Sequence, residues 1–479
     1  MSGGAGRVGS GVGSGLVGTT ELRARFAAAL SALYATEVPA YGTLVEVAGE
    51  VNADVMAADP DAAQRLGAIE RVTAERHGAI RVGTARELGQ VGQVFAALGM
   101  HPVGFYDLRE AAAPVPVVST AFRPVDDDEL AANPFRVFTS VLAGDDRRFF
   151  DADLQARLEG RLERRELFSP LLLTLAARAE EAGGLDPEDA DAFVRLATAA
   201  FALSPEPVDA AWYAELERVS GVAADIGGVG STHVNHLTPR VLDIDALYAR
   251  MTGRGITMID AIQGPPGEGA PVLLRQTSFR ALSEPRRMRG ADGQVHEGAL
   301  RVRFGEVEAR GCALTPAGRA RYDAWTAAGG TAPEREARWR RLFPDGADEQ
   351  AAAGLTSVRW VPVPDRPRDD RGPQPDLARL LADGWVRAEP VVYEDFLPAS
   401  AAGIFASNLD GTGERDAAEG ASHRDLAWLS DALGREVLEP ADLYAARTRA
   451  SAEEVAAALD LPPLAPPAAD DLDESALRA

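Results

Sequence analysis

Apolar residues recur at helical spacing near the start of the chain. Leu22, Phe26, Leu30 and Leu33 set this rhythm, and the pattern predicts helix over 21–58. The period then shortens. ERHGAIRVGT (75–84) alternates over a short run and predicts a strand. ARELGQVGQVFAALG returns to the helical period and sets Leu88, Val91, Phe95 and Leu98 on one face. Thr84 and Glu87 have the spacing of a capping box, and Gly99 that of a helix stop. HPVGFYDL and PVPVVSTAF predict two further strands, and PFRVFTSVL a fourth.

The same order then returns. THVNHLTPRV predicts a strand, and Asp243 is placed to cap a helix carrying Ile244, Leu247, Tyr248 and Met251, ended by Gly253 and Gly255. ITMIDAIQ, PVLLRQTSFRAL and LRVRFGEVEARGCAL predict three strands. Strand, helix, strand, strand, strand therefore occurs twice, with little residue identity between the copies. The expectation is an α+β fold of paired βαβββ modules, at about 70–142 and 230–320. Between them, FDADLQARLEGRLERRELFSPLLLTLAARAEE and DPEDADAFVRLATAAFALS predict a helical insertion over about 143–225, and helices also flank the modules. After about 330 the chain turns proline- and charge-rich before VVYEDFLPASAAGIFASNL (391–409), where an aromatic strand runs into a loop of small residues. The reading divides the chain into a flexible Gly/Ser tail (1–18), a metal-binding catalytic domain (19–410), and a C-terminal helical segment with a loose tail (411–479).

Composition narrows the chemistry. The 479 residues carry a formal net charge of −24 and no clustered basic face, so neither nucleic acid nor an anionic membrane is an expected partner. No run of 18 apolar residues is present, and the first residues lack the apolar core of a secretory signal. The single cysteine, Cys312, fits a reducing cytoplasm. Lysine does not occur at all. That excludes Schiff-base chemistry, hence pyridoxal phosphate enzymes, and the lysine-bearing phosphate loop.

Six histidines remain, two of them in HVNHLTPRVLDID (233–245). Pro239 argues against a helix there. On a strand, residues three apart face opposite ways, so His233 and His236 make a poor chelating pair, and His236 shares a face with Val234 and Thr238. Comparing the copies pairs His236 with His77, each on a module's first strand. The last strand of the second copy supplies Glu306 and Glu308 on one face. Two imidazoles and one carboxylate make a facial triad that leaves three positions open on an octahedral metal and suits non-haem Fe(II). A lone histidine on a strand is more often structural, and paired strand glutamates usually face solvent; only the repeat unites these residues. His101, His296 and His423 read as surface residues. Ala79 and Arg81 share the face of His77, with Arg81 about 13 Å along the strand. A metal at one end and a guanidinium at the other can grip a short dicarboxylate. Gln276 and Ser278, polar within an apolar strand, and Ser400, in its small-residue loop, are further candidates to line the cavity.

RHGAIRVGT, HVNHLTPRVLDID, PVLLRQTSFRAL, RFGEVEARGCALTPAGRARYD and YEDFLPASAAGIFASNL together resemble the 2-oxoadipate dioxygenase/decarboxylase family, in order and over roughly residues 20–450. The resemblance implies a vicinal-oxygen-chelate-like fold and Fe(II) held by two histidines and a glutamate, which map to His77, His236 and Glu306. FGEVEAR is also similar to the iron-binding segment of 4-hydroxyphenylpyruvate dioxygenases, which favours Glu306 over Glu308. The family's substrate-binding arginine maps to Arg81. Ala399 and Ser400 fall in its substrate-contacting segment, with Ala399 where a valine is expected and Ala309 where a glutamine is expected.

The implied reaction converts 2-oxoadipate and O₂ to D-2-hydroxyglutarate and CO₂, in lysine breakdown. The 2-oxo acid chelates iron through its carboxylate and keto oxygen, and both oxygen atoms end in one product without a co-substrate. Two other classes stay open: a non-oxidative metal-dependent isomerase or lyase acting on a 2-oxo acid, since fold alone does not fix chemistry, and a protein that only binds.

Overall fold

The computed structural model describes residues 15–60, 71–72, 75–111, 114–281, 283–300, 303–364, 374–397, 420–472 and 476. Two helices open it, α1 (Thr19–Glu37) and α2 (Pro39–Ala58), where the sequence pattern predicts one. Pro39 causes the break: proline has no N–H to give and pushes the preceding residue out of the helical region, and Val38 sits at φ −129°, ψ 84°.

The first module follows its prediction. Strand β1 (Arg76–Val82) leads into α3 (Ala85–Ala96), then β2 (His101–Asp107), β3 (Val117–Arg123) and β4 (Arg136–Leu142). Thr84 caps α3 by accepting from the Glu87 N–H. Glu87 reaches one residue farther back than a capping box requires, accepting from Gly83 at 2.7 Å. Gly99, at φ +66°, turns the chain after the helix. The insertion is helical, with α4 (Ala152–Leu162), α5 (Pro170–Ala182), α6 (Pro187–Ala200), α7 (Ala210–Glu217) and α8 (Gly221–Gly228).

The second module departs from its copy. It has β5 (His236–Pro239), α9 (Ile244–Gly253) capped by Asp243, β6 (Leu274–Phe279), and a hairpin of β7 (Glu284–Arg289) and β8 (Val295–Leu300) before β9 (Gly305–Arg310). ITMIDAIQ forms no strand. Ile259 and Gln263 bond to Ser278 and Gln276, so four residues on one side span two on the other, and the segment bulges away.

The sheet runs β2-β3-β4-β1-β5, with β1 parallel to β4 and antiparallel to β5. Strands β9 and β6 pair antiparallel, and a parallel bridge between Arg240 and Glu308 joins them to the edge at β5. Alternation on β1 divides the interior. Ile80 and Val82 enter a core with α1, α2 and α3, whereas Ala79 faces a second core containing Phe138, Phe304 and Phe396. A third core gathers α10 (Pro316–Ala327), α11 (Ala332–Leu342), the β10 (Val358–Pro362) and β11 (Val386–Pro390) hairpin, and α13 (Pro440–Leu459), which follows α12 (Leu426–Leu433). The tail beyond α13, expected to be loose, packs on this third core through Leu461, Leu464 and Leu472. No described helix is long and apolar enough to cross a membrane.

Candidate metal centre

His77 on β1 stands opposite Thr238 on β5, and His236 stands opposite Ala79. Cross-strand partners share a face, so both imidazoles point into the second core. Glu306 arrives on the same side from β9. The His77 Nε2 lies 3.7 Å from one Glu306 oxygen and the His236 Nε2 3.3 Å from the other. One ligand atom from each residue falls within 4.8 Å of the others, and all three residues are buried. Among the described residues this is the group of ligand side chains able to hold a metal. The sequence reading named these three, and the structure brings them together.

The electrostatics fit a cation at that point. Burial pushes the His236 imidazole far toward its neutral form, and His77 and Arg81 add to the effect. Burial also lowers His77, against the attraction of Glu308. Glu306 is driven the other way, well above the usual carboxylate range, by burial and by Glu308. Neither ring nitrogen of His236 finds a hydrogen-bond partner, because its 3.3 Å approach to Glu306 is not aligned for one. Two imidazoles that burial keeps toward neutrality, set 3.3 and 3.7 Å from a carboxyl whose charge burial opposes, make a group that a divalent ion would stabilise. Among the described residues no further ligand side chain joins these three, which suits an open site.

Glu308 has a different task. It is buried, not solvent-facing, and its Oε2 lies 3.0 Å from the Nδ1 of His77, although the approach is off-line for a strong hydrogen bond. Burial would raise its carboxyl, yet Arg310 and His77 hold it well below the usual range. A carboxylate behind a ligating histidine fixes the ring and raises its basicity. Arg310 grips Glu308 with two bonds, 2.7 and 2.9 Å, and donates to the carbonyls of Tyr393 and Asp395. Arg136 and Arg240 meet Glu75, Arg136 and Arg71 meet Glu394, and Arg123 bonds Asp395 through both oxygens. This buried lattice of charge ties β1, β4 and β9 to residues 394–395 and, through Tyr444, to α13.

Aromatic rings wall the site. Phe396 meets His77 edge-on at 5.0 Å, and Phe304 lies 5.1 Å from His236. Segment 391–397, expected to be a strand, makes only an isolated bridge at Val392, but that suffices to deliver Phe396. Tyr34 of α1 donates toward the carbonyls of Phe304 and Asn235, at 2.9 and 3.1 Å, and so holds the approaches to β9 and β5 together. A cavity of about 1480 Å³ is lined by Arg71 and Glu394 rather than by the triad.

Arg81 shares the triad's side of β1 and pairs with Asp225 of α8 at 2.5 Å. Sequence reasoning missed Asp225. Gln276 is buried on β6, opposite Glu308, and Ser278 opposite Glu306, so both lie on the site's face. Ala399 and Ser400 lie outside the described residues. His233 is turned to Asp225, 3.1 Å away, and not to the triad. Its place differs from expectation all the same. Strand β5 begins only at His236, so alternation does not reach back, and Val234 packs with Leu237 in the opposite core. His101, His296 and His423 are exposed, as read.

The sequence matches the 2-oxoadipate dioxygenase/decarboxylase family over residues 26–408. A Mycobacterium tuberculosis protein described as 2-oxoadipate dioxygenase/decarboxylase is 58% identical over 427 residues, 89% of this chain and 96% of that one. A Pseudomonas putida protein of the same description is 42% identical over 464 residues, 93% of this chain and 98% of the relative. The crystal structure of the hydroxyglutarate synthase from Pseudomonas putida, in complex with 2-oxoadipate, superposes with a TM-score of 0.79 at 40% identity, covering 94% of this chain and all of that one.

Proposed function

The chain belongs to the 2-oxoadipate dioxygenase/decarboxylase family, and on that premise we propose that it is an Fe(II)-dependent enzyme converting 2-oxoadipate and O₂ to D-2-hydroxyglutarate and CO₂. The observation that carries the reading is the meeting of His77, His236 and Glu306 at one buried point, joined by no further ligand side chain among the described residues. Iron(II) held there supplies the redox chemistry and a seat for the 2-oxo acid's carboxylate and keto oxygen.

The protein supplies geometry. Arg81 lies about 13 Å along the strand from His77 and takes the distal carboxylate in its planar fork. Holding both ends fixes which carbon is presented for oxidation, a positioning gain. Gln276, on the same face, borders the bound chain, and Ala399 and Ser400 complete the pocket by resemblance to the family. Phe138, Phe304 and Phe396 keep the reacting end dry. The atoms balance without a co-substrate: both oxygens of O₂ enter the five-carbon product as the first carboxylate leaves as CO₂. The reaction belongs to lysine breakdown, and a lone buried Cys312 accords with a cytoplasmic enzyme.

Oxygen uptake by protein loaded anaerobically with Fe(II), on adding 2-oxoadipate under ¹⁸O₂, tests this. Two labelled oxygens in 2-hydroxyglutarate are expected. Bound iron and bound 2-oxoadipate without uptake would overturn the oxidative reading in favour of a lyase, an isomerase or a binding protein.

A further inference from the structure

His233 and Asp225 belong to no part of the reaction described so far, yet both are buried beside Arg81. Helix α8 is otherwise apolar at Val222, Ala223, Ala224 and Ile226, and nothing in its packing calls for an acid. Asp225 is nonetheless held three ways. One oxygen accepts from the Arg81 Nη1 at 2.5 Å and from the Asn235 Nδ2 at 2.8 Å; the other lies 3.1 Å from the His233 Nε2. Burial works to raise the Asp225 carboxyl, but His233 and Arg81 overcome it and keep it ionised, well below the usual range. The His233 Nε2 also lies 3.2 Å from the Asn235 Nδ2, so Asp225, His233 and Asn235 form one buried polar cluster beside Arg81. Thr232 completes the arrangement by donating to the Arg81 carbonyl at 2.7 Å.

We infer that Asp225 and His233 are positioning residues that clamp the Arg81 guanidinium in the orientation that selects a substrate with a distal carboxylate. The inference rests on the proposed role of Arg81. A guanidinium offers donors on more than one edge, so a carboxylate on one edge does not bar a second. Asp225 supplies a counter-charge to Arg81 in the empty enzyme and holds one edge still. The substrate then meets a fork already aimed, and the ordering cost falls on folding rather than on binding. His233 braces the far oxygen of Asp225. HVNH thus carries two separate duties: His236 at the metal and His233 at the opposite end of the substrate.

The test compares 2-oxoadipate with 2-oxohexanoate, which is the same length but ends in a methyl group, as substrate or as inhibitor of the iron-loaded enzyme. Asp225→Asn and His233→Leu are expected to cut the preference for 2-oxoadipate by about tenfold or more, through KM, as lost bidentate pairing would. Bound iron and the constants for 2-oxohexanoate should hold, and His233→Gln, which keeps a donor, should recover part of the preference. His233→Leu leaves the Arg81–Asp225 pair in place and carries the test alone should Asp225→Asn not fold. Unchanged preference, or an equal fall for both compounds, overturns the clamp. Arg81→Ala separates the two readings. If it keeps the preference, the substrate placement itself fails. If it loses the preference while the Asp225 and His233 variants keep it, only the clamp fails.

Discussion

Glu306 and Glu308 stand two residues apart on one strand face and do opposite things. Glu306 is starved of positive charge, and Glu308 is saturated with it by Arg310. Glu306→Ala is therefore expected to abolish metal binding, while Glu308→Gln should keep the site and weaken its affinity roughly 10- to 100-fold, as loss of a carboxylate behind a histidine ligand does. Metal titration of both variants checks this. The state of Glu306 also sets a pH dependence. Its folded pKa is raised above the unfolded value, so without metal its contribution favours folding when it is protonated and is lost as pH rises through the elevated value. Metal removal should thus lower the melting temperature more as pH rises above the usual carboxylate range. At this scale His77 and His236 were legible because each opens a repeated module. Glu308's task and Asp225 were not: the first needs the rotamer of His77, and the second lies 144 residues from Arg81 with no local motif.

Among the elements, α1 acts at a distance. Its Tyr34 hydroxyl reaches two carbonyls that precede ligand-bearing strands. Tyr34→Phe removes the donor and leaves both acceptors buried, at a cost of about 1–3 kcal/mol. Denaturant unfolding should register that loss, with metal affinity falling as β5 and β9 loosen. The first module was legible nearly in full because its strands carry clean alternation and its helix a Thr84 cap. The second was less so. Residues 284–300 form a hairpin around Asp292 and Gly293, but its strands are mostly polar and exposed, so no apolar period marks them. The Asp-Gly pair was the available turn signal. Conversely, ITMIDAIQ has the composition of a strand, but its pairing with β6 is broken by the bulge. The insertion is helical, as its periodicity predicts; that α8 brings Asp225 to Arg81 is a tertiary fact that helical periodicity does not encode.

Across the whole molecule, the buried charge lattice is the feature that composition foreshadowed least. Burial alone would raise Glu394, but Arg71 and Arg136 hold it well below the usual range, and Glu75 is lowered by Arg136 and Arg240 against the same penalty. Carboxyls depressed in this way contribute stability above their unfolded pKa and lose it as pH falls through the folded one. The protein should therefore keep its fold to below about pH 4 and then unfold steeply. Glu394→Gln should bring that midpoint up and cost about 3–5 kcal/mol at neutral pH, because Arg71 and Arg136 are left buried without their partner. Acid titration followed by circular dichroism distinguishes the two proteins.

On the proposed function, strand β1 carries one end of the site at His77 and the other at Arg81, and this makes it a calliper with coarse notches. Positions on one face recur every second residue, so the jaw can be reset along the strand only in steps of about 6.6 Å. A carbon chain grows by far less than that with each methylene. Selection among neighbouring chain lengths cannot then be retuned by shifting the anchor along β1. It falls to the reach of the side chain at position 81 and to how neighbouring groups aim it, and changes in substrate length preference within this fold are expected to map there.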